Sequence, residues 1–470
     1  VAFLFAFREL AHRLLPIPAA LLATALVASD VSLVSPVAWL CNRATLVTAT
    51  FGALTLAAYH DHQERPSRGS AVRVVLFMCL ALFGGEYAIL VLSFLLGCEV
   101  LAESPAKVRV RRFALVLAPA VVYAVVHVVG RYGAAGGGVY LSPLEAPLAF
   151  LRGVLYRVPS MLATELLLLP GEAVYVALFL RSPLLVWAVV PGVLAALFVW
   201  RALAGAPGPL PKRMAGYALG TVLGLVPLAG TVPGVRLLLL PSLGGSLVLA
   251  AAFWATARRF TNRDGPRRFG SYALLLVGLP LFVLHLPLSA WASRDQSRAF
   301  AVSAARLRAA SYDSEIDDAR VAEQDLVLLN LPGDLVAIDY PVRVRHEHGS
   351  PRPKSYRTLT SALVPIRVLR VADDVLELRV AKPGDGLFGY DPKRPDAPPN
   401  RFRAGERRDV EGLSVEIMEL EDWAPRRIRY RFPESLDDPG RVFLRFDHGR
   451  LRRFEIPKVG AEAELEVGFP

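Results

Sequence analysis

The chain has 470 residues, 54% of them hydrophobic and 20% charged, with 53 Lys and Arg against 42 Asp and Glu. A mean hydropathy of +0.41 excludes an ordinary soluble enzyme, and the net charge is uneven: residues 1–295 carry +12 and residues 296–470 carry −1. Basic residues set between long apolar runs are membrane-flanking charge under the positive-inside rule rather than a nucleic-acid footprint, so no nucleic-acid partner is expected.

The opening Val1–Phe7 is already apolar, with no basic stretch before it and no small-residue cleavage site after it. It reads as the tail of an earlier helix, and predicts a chain that starts short of its reading frame or at an alternative start codon. A bilayer core needs roughly 20 apolar residues per helix. Runs that meet or approach this are 14–34, 36–59, 74–102, 113–130, 148–180, 184–203, 214–230, 237–257 and 269–290, separated by Arg-rich connectors. The connector Arg258–Arg268 is the strongest cytoplasmic marker and sends the last run outward. Two runs carry breaks, Gly84-Gly85 in the first and Pro159, Pro170 and Gly171 in the second. Halving 74–102 leaves helices of about 21 Å, which favours a broken or re-entrant pair lining a cavity. Cys41, Cys79 and Cys98 lack metal or redox spacing and read as small buried hydrophobes.

Ionisable groups within or beside apolar runs are Asp30, Arg43, Glu86, Glu165, Glu172 and Arg236. Such groups face a polar cavity or sit at an interface, because a bilayer-centre charge costs at least about 2.5–3.5 kcal/mol. Glu86 follows a Gly-Gly break and is the stronger functional candidate. His60-Asp61-His62 reads as solvated connector, and no metal site is expected.

Three stretches carry a resemblance. The first is Val37-Ala38-Trp39-Leu40-Cys41-Asn42-Arg43, the second Gly84-Gly85-Glu86-Tyr87-Ala88, and the third Arg236-Leu237-Leu238-Leu239-Leu240-Pro241-Ser242-Leu243-Gly244. In this order they resemble polytopic GT-C glycosyltransferases, in particular bacterial relatives of the tetratricopeptide-repeat-containing protein O-mannosyltransferases. Those carry V-x-W-I-x-x-R-x-D, S-K-E-x-A and D-R-Y-L-Y-L-P-S-x-G stretches. Trp39, Arg43, Glu86, Arg236, Pro241, Ser242 and Gly244 match, whereas Thr45, Gly85, Val235, Leu237 and Leu239 depart from the pattern. The resemblance covers roughly residues 20–250 and implies a polyprenyl-phosphate-linked sugar as donor substrate, with no resident cofactor. It also implies a cavity in which Arg43, Glu86 and Arg236 are the donor-phosphate or cavity candidates. The catalytic acid it implies lies in the first extracytoplasmic loop, upstream of Val1 on this reading, so no catalytic residue is assigned.

Residues 296–324 are polar and read as an amphipathic helix with a linker. Beyond Asp325, short β runs separated by Gly, Pro and Asp predict strands at 326–329, 335–338, 364–371, 375–380, 413–418, 428–432, 442–446 and 451–456. Tetratricopeptide periodicity is missing there. His346-Glu347-His348 reads as one strand face, and 383–408 as a long Pro/Gly/charged loop.

The fold class expected is a multi-spanning α-helical membrane domain followed by a small all-β extracytoplasmic domain, an antiparallel sandwich or barrel. The domains are 1–295 transmembrane, 296–324 amphipathic helix and linker, and 325–470 soluble β. The function expected is a membrane-embedded glycosyltransferase-like protein of the bacterial inner membrane, meeting membrane lipid, a lipid-linked sugar and a glycan or protein acceptor outside the cytoplasm. The alternative is a non-catalytic membrane scaffold with a β interaction domain.

Overall fold

The computed structural model describes residues 1–130, 132, 141–144, 146–179, 182, 186–261, 269–312, 314–331, 340–362, 364–381, 386–387, 402–421, 424–448 and 450–466. They form two compact units, Val1–Arg298 and Ala299–Pro470. The first is helical, and the second is built on β-sheet.

In the helical unit, α1 (Ala2–Leu14) and α2 (Ile17–Ser29) are followed by a 3-10 turn, Val31–Leu33, and the short α3 (Val34–Ala38). Asp30 caps that turn by accepting from the Ser32 N–H at 2.7 Å. Next come α4 (Ala44–Glu64) and α5 (Arg68–Phe83), the latter opened by a reciprocal Ser67/Ser70 capping box. Then follow α6 (Ile89–Val100), α7 (Ala106–Val129), α8 (Pro147–Leu167), α9 (Gly171–Phe179), α10 (Val186–Ala204), α11 (Leu210–Leu228) and α12 (Leu239–Thr261). Helix α13 (Phe269–Val283) passes through a π turn at Leu284–Leu288 into α14 (Ser289–Tyr312).

Among the described residues three helices are long and apolar enough to cross a membrane: Ala106–Val129, Leu239–Thr261 and Tyr272–Ala305. The pair Ile17–Ser29 and Val31–Ala38, bent by 54°, meets the same test as one broken span. These are fewer than the apolar runs of the sequence, because several runs are cut by Pro and Gly into shorter helices. The 13-residue α2 and 12-residue α6 are examples. Of the long helices, α12 is central, with 83% of its apolar window buried, whereas α7 buries only 11% and bares a row of valines from Val121 to Val129. A bare valine row of this kind is compatible with a membrane-spanning helix.

The closest helix packing joins α6 to α11 through glycines four residues apart, Gly216 and Gly220. A Cβ at Gly220 would lie 2.5 Å from the Phe94 Cα, so the backbones touch where side chains are absent.

The helix ends sort into two groups. One end is basic: Arg13 pairs with Asp61 at 2.7 Å, Arg112 with Glu99 at 2.9 Å, and Arg259 donates to the Arg201 carbonyl at 2.9 Å. Lys212 pairs there with Glu103 at 2.6 Å and holds that exposed carboxyl below its usual range, chiefly by the hydrogen bond. The other end collects the C-terminus of α2, the N-termini of α4 and α12, the C-terminus of α11 and the α5–α6 break. Helices α5 and α6 run the full distance between the ends. Arg73 in α5 faces Asp61, 3.8 Å away, and Glu99 closes α6 at the basic end, while Gly84 packs on Ala44 and Thr48 at the other. The run 74–102 is therefore broken at Gly84-Gly85 into two antiparallel helices, the broken form among the two expected. Helix α8 behaves differently. Its Arg157 donates to the Ala229 carbonyl at 2.8 Å and its Glu165 accepts from Ser242 at 3.0 Å, so the whole helix stays at the non-basic end.

In the second unit, a four-stranded sheet has the order β2 (Ser355–Thr358), β1 (Asp325–Leu328), β8 (Arg441–Asp447), β9 (Arg450–Arg453). A six-stranded sheet runs β10 (Glu462–Leu465), β3 (Ile366–Ala372), β4 (Val375–Val380), β7 (Ala424–Arg431), β6 (Leu413–Glu421), β5 (Arg407–Val410). The six-stranded sheet is antiparallel throughout. The four-stranded sheet corrects the expectation of a purely antiparallel fold, because β1 pairs parallel with both β2 and β8. The two sheets share one apolar core, to which Val327, Leu329 and Phe443 contribute from one side and Val368, Leu378 and Ile428 from the other. A second cluster around Leu326, Leu328, Leu444 and Ile316 covers the opposite face of the four-stranded sheet. Helix α15 (Tyr340–Glu347) occupies the stretch read as a strand face around His346.

Candidate functional site

The non-basic end of the helical unit gathers the polar residues of four separate chain stretches. Arg236 stands on a 3-10 turn, Val235–Leu237, just before α12. Its guanidinium carbon lies 5.8 Å from the centre of the Trp39 ring, a cation–π distance. The first and third resemblance stretches, nearly two hundred positions apart, therefore meet at this contact. Arg236 and Arg43 are both exposed, and neither has an acidic partner among the described residues.

One turn into α12, Ser242 is 1% exposed and donates to Glu165 Oε2 at 3.0 Å. Its Oγ lies 3.5 Å from the Ser32 Oγ. Gly244 and Gly245 allow this approach. A Cβ at Gly245 would collide with the Glu165 carboxylate, and one at Gly244 with Thr221. Asp30 is within electrostatic reach of both Glu165 and His285. His285 sits on the π turn, 7% exposed, with Nε2 3.0 Å from the Leu166 carbonyl. Ser289 and Ser293 both donate to the Ser29 carbonyl, at 2.8 and 2.9 Å, and so fasten α14 to the end of α2. The result is a patch of two carboxylates, hydroxyls and an imidazole beside an unpaired guanidinium held on an indole. Chemically it offers a proton acceptor and an anion-binding cation on one side of the bundle.

Glu86 is set apart. Gly85, at φ +122°, turns the chain out of α5, and the Glu86 side chain is 61% exposed with its carboxylate 3.9 Å from His127 Nε2. It shares the end of the bundle with Arg43, since Gly84 packs on Ala44, yet among the described residues no ion pair joins it to Arg43 or Arg236. The three site candidates thus share one end without forming one hydrogen-bonded cluster. Glu172 falls at the start of α9, and its side chain lies outside the described residues.

Other expectations need correction. His60 is buried, with Nε2 2.9 Å from the Tyr217 hydroxyl and Nδ1 3.0 Å from Gln63, so the His60–His62 stretch is not simply solvated connector. Cys41 is exposed rather than buried. His348 Nδ1 lies 2.8 Å from the Val344 carbonyl in the last turn of α15, and His346 Nδ1 lies 3.3 Å from the Ser350 carbonyl beyond it. The strand expected at 335–338 and most of the loop 383–408 lie outside the described residues.

Ser32 and His285 escaped the sequence reading. The available signal for His285 was a lone polar residue in Leu284-His285-Leu286-Pro287, where the proline removes a helical N–H and opens a π turn. The Glu165–Ser242 contact spans 77 positions, and no local pattern announces it. No protein-family model matches the chain, and neither does any curated protein.

Proposed function

We propose that the chain is an integral membrane protein of the GT-C glycosyltransferase kind that handles a polyprenyl-phosphate-linked sugar at the non-basic end of its helical unit. The carrying observation is the meeting of Trp39 and Arg236, two resemblance residues far apart in sequence, beside the Ser242–Glu165 pair. The charge distribution supports the orientation. The Arg- and Lys-rich end faces the cytoplasm under the positive-inside rule, so the Arg236 end faces the exterior of a bacterial inner membrane. The chain leaves α13 at that end, which makes the β unit extracytoplasmic on this reading.

In the proposed reaction the sugar-to-phosphate bond of the donor breaks and a bond to an acceptor oxygen forms. Arg236, oriented by the Trp39 face, and Arg43 bind the lipid phosphate and stabilise it as it leaves with the bonding electrons. The acceptor hydroxyl loses its proton to a carboxylate at this end, for which Glu165 and Asp30, grouped with Ser242 and His285, are the candidates. Helix α8, confined to the outer end, leaves room for a lipid-borne donor to approach from the side, consistent with irregular backbone lining a cavity. The acceptor is a glycan or protein outside the cytoplasm.

The test is sugar transfer or donor hydrolysis by the purified chain in proteoliposomes with polyprenyl-phosphate-linked sugars. Wild type is expected to turn over, and Arg236→Leu to lose about 100-fold, the usual scale for removing one preorganised charge stabiliser. A folded wild-type chain inert toward every donor sinks this reading and leaves the membrane scaffold with a β interaction domain.

A further inference from the structure

The four-stranded sheet turns charged residues inward at one place. Alternation along a strand fixes the face. Val327 packs into the core shared with the six-stranded sheet, so Asp325, two residues earlier, points the same way. Register sets Ser355 and Arg357 of β2 beside Asp325 and Val327. It sets Arg441 and Phe443 of β8 beside the same two residues. The inner face is therefore apolar at Val327 and Phe443 but polar at Asp325, Ser355, Arg357 and Arg441, where packing alone calls for Val or Leu. These polar residues, with Lys354 and Glu434, line a cavity of about 240 Å³ at the mouth between the sheets.

Most of the charges there are already engaged. Asp325 accepts from the Ser355 hydroxyl at 2.7 Å and faces Lys354 at 3.9 Å. Arg441 donates to the carbonyls of Glu434 and Ser435, at 3.1 and 2.7 Å, lies 5.0 Å over the Phe432 ring, and stands 3.7 Å from the Glu434 carboxylate. Arg357 is half-buried and has no partner among the described residues. Of the three cations that line the cavity, Lys354 and Arg441 face carboxylates and Arg357 is left without one among the described residues.

We propose that this cavity binds one carboxylate-bearing sugar unit, a hexuronate, with Arg357 holding its carboxylate. The guanidinium fork matches a carboxylate bidentately. A dianionic phosphate would meet Asp325 and Glu434 with only Arg357 uncommitted to balance its two charges. An amino acid needs an uncommitted carboxylate for its ammonium, and both carboxylates already face cations. A sugar hydroxyl can still share a paired carboxylate, which offers about four lone-pair sites. The volume holds a single ring rather than a chain, being below the roughly 300–1,000 Å³ of drug-sized sites. The site belongs to the β unit and stands independently of the transferase reading.

The test is isothermal titration of the full chain in detergent with glucuronate, glucose and glycine. Glucuronate binding is expected to exceed that of glucose and of glycine by about tenfold or more, the share of a charge-assisted bidentate contact. Arg357→Leu is expected to abolish that preference and Arg357→Lys to retain part of it. If Arg357→Leu misfolds, shown by a shifted melting temperature, the Lys variant and the glucuronate-to-glucose ratio of wild type decide. No glucuronate binding, equal binding of glucose, equal or tighter binding of glycine, or an unchanged preference in a folded Arg357→Leu chain each overturns the proposal.

Discussion

At the basic end of the helical unit, Glu99 is 4% exposed and accepts from Tyr59 at 2.8 Å, Gln63 at 2.8 Å and Arg112 at 2.9 Å, while Arg109 donates to its carbonyl at 2.8 Å. At the opposite end, Arg236 and Arg43 are exposed with no acidic partner among the described residues, and Glu86 is mostly in the open. Both ends carry ionisable groups, but only at the basic end is a buried carboxylate tied to three side-chain donors. A buried carboxylate held by three side-chain donors is architecture, since removing one member strands the others. A cation left open beside an aromatic face has spare binding capacity. The difference separates an end whose buried carboxylate is tied to several neighbours from an end whose arginines stay exposed without an acidic partner among the described residues.

The sharpest way to break this contrast is to delete its two centres. Glu99→Ala should destabilise the chain by about 3–5 kcal/mol, because Arg112 is left buried without its counter-charge. Arg236→Leu should leave stability within about 0.5 kcal/mol of wild type, as surface changes do. Thermal unfolding in detergent compares the two, and equal losses would erase the distinction. On transfer the order reverses, with Arg236→Leu costing about 100-fold. Glu86→Gln, remote from the Trp39–Arg236 contact, should cost less than Arg236→Leu in the same assay.

Between the ends, Gly220→Ala should cost about 1–3 kcal/mol by overpacking the α6–α11 seam. An unchanged melting temperature would mean that these helices stand further apart than described. The β unit offers the mildest test, in pH. Arg370, 4% exposed, holds Asp437 at 2.9 and 2.7 Å, and those hydrogen bonds, aided by its charge, keep the Asp437 carboxyl below its usual value. A depressed carboxyl contributes stability above its ordinary value of about 3.9 and loses it as pH falls through the lower folded value. Acid unfolding followed by near-UV circular dichroism should therefore become less steep below about pH 4 in Asp437→Asn. An identical acid limb in both proteins would remove this pair from the account.

The sequence was most legible where order is local. The alternation in Val375–Val380 became β4 with Leu376 and Leu378 inward, and the Arg427–Phe432 alternation became most of β7. Arg-rich connectors marked one end of the helices because loop charge is a local property. Parallel pairing of β1 with β8 was invisible, since alternation states which face is buried but not which strand lies alongside. His346-Glu347-His348 misled for the same reason: three residues cannot distinguish a strand from the last turn of a short helix. At the non-basic end, Arg43, Glu86 and Arg236 were readable as ionisable groups in apolar surroundings. What Arg236 and Glu165 touch was not readable, because Trp39 and Ser242 reach them only through tertiary packing.

The placement of β1 between two parallel partners also sets an order of events during synthesis. Its first partner, Ser355–Thr358, follows closely in the chain, but its second, Arg441–Leu444, comes near the end. At ribosomal speed the nascent strand waits on the order of ten seconds for that second neighbour. Throughout that delay the run Leu326-Val327-Leu328-Leu329 presents an unpaired edge, the kind that recruits a strand from another molecule. A ribosome stalled or stopped short of Arg441 would release a chain whose central strand is open on one side, and such fragments should be the aggregating species.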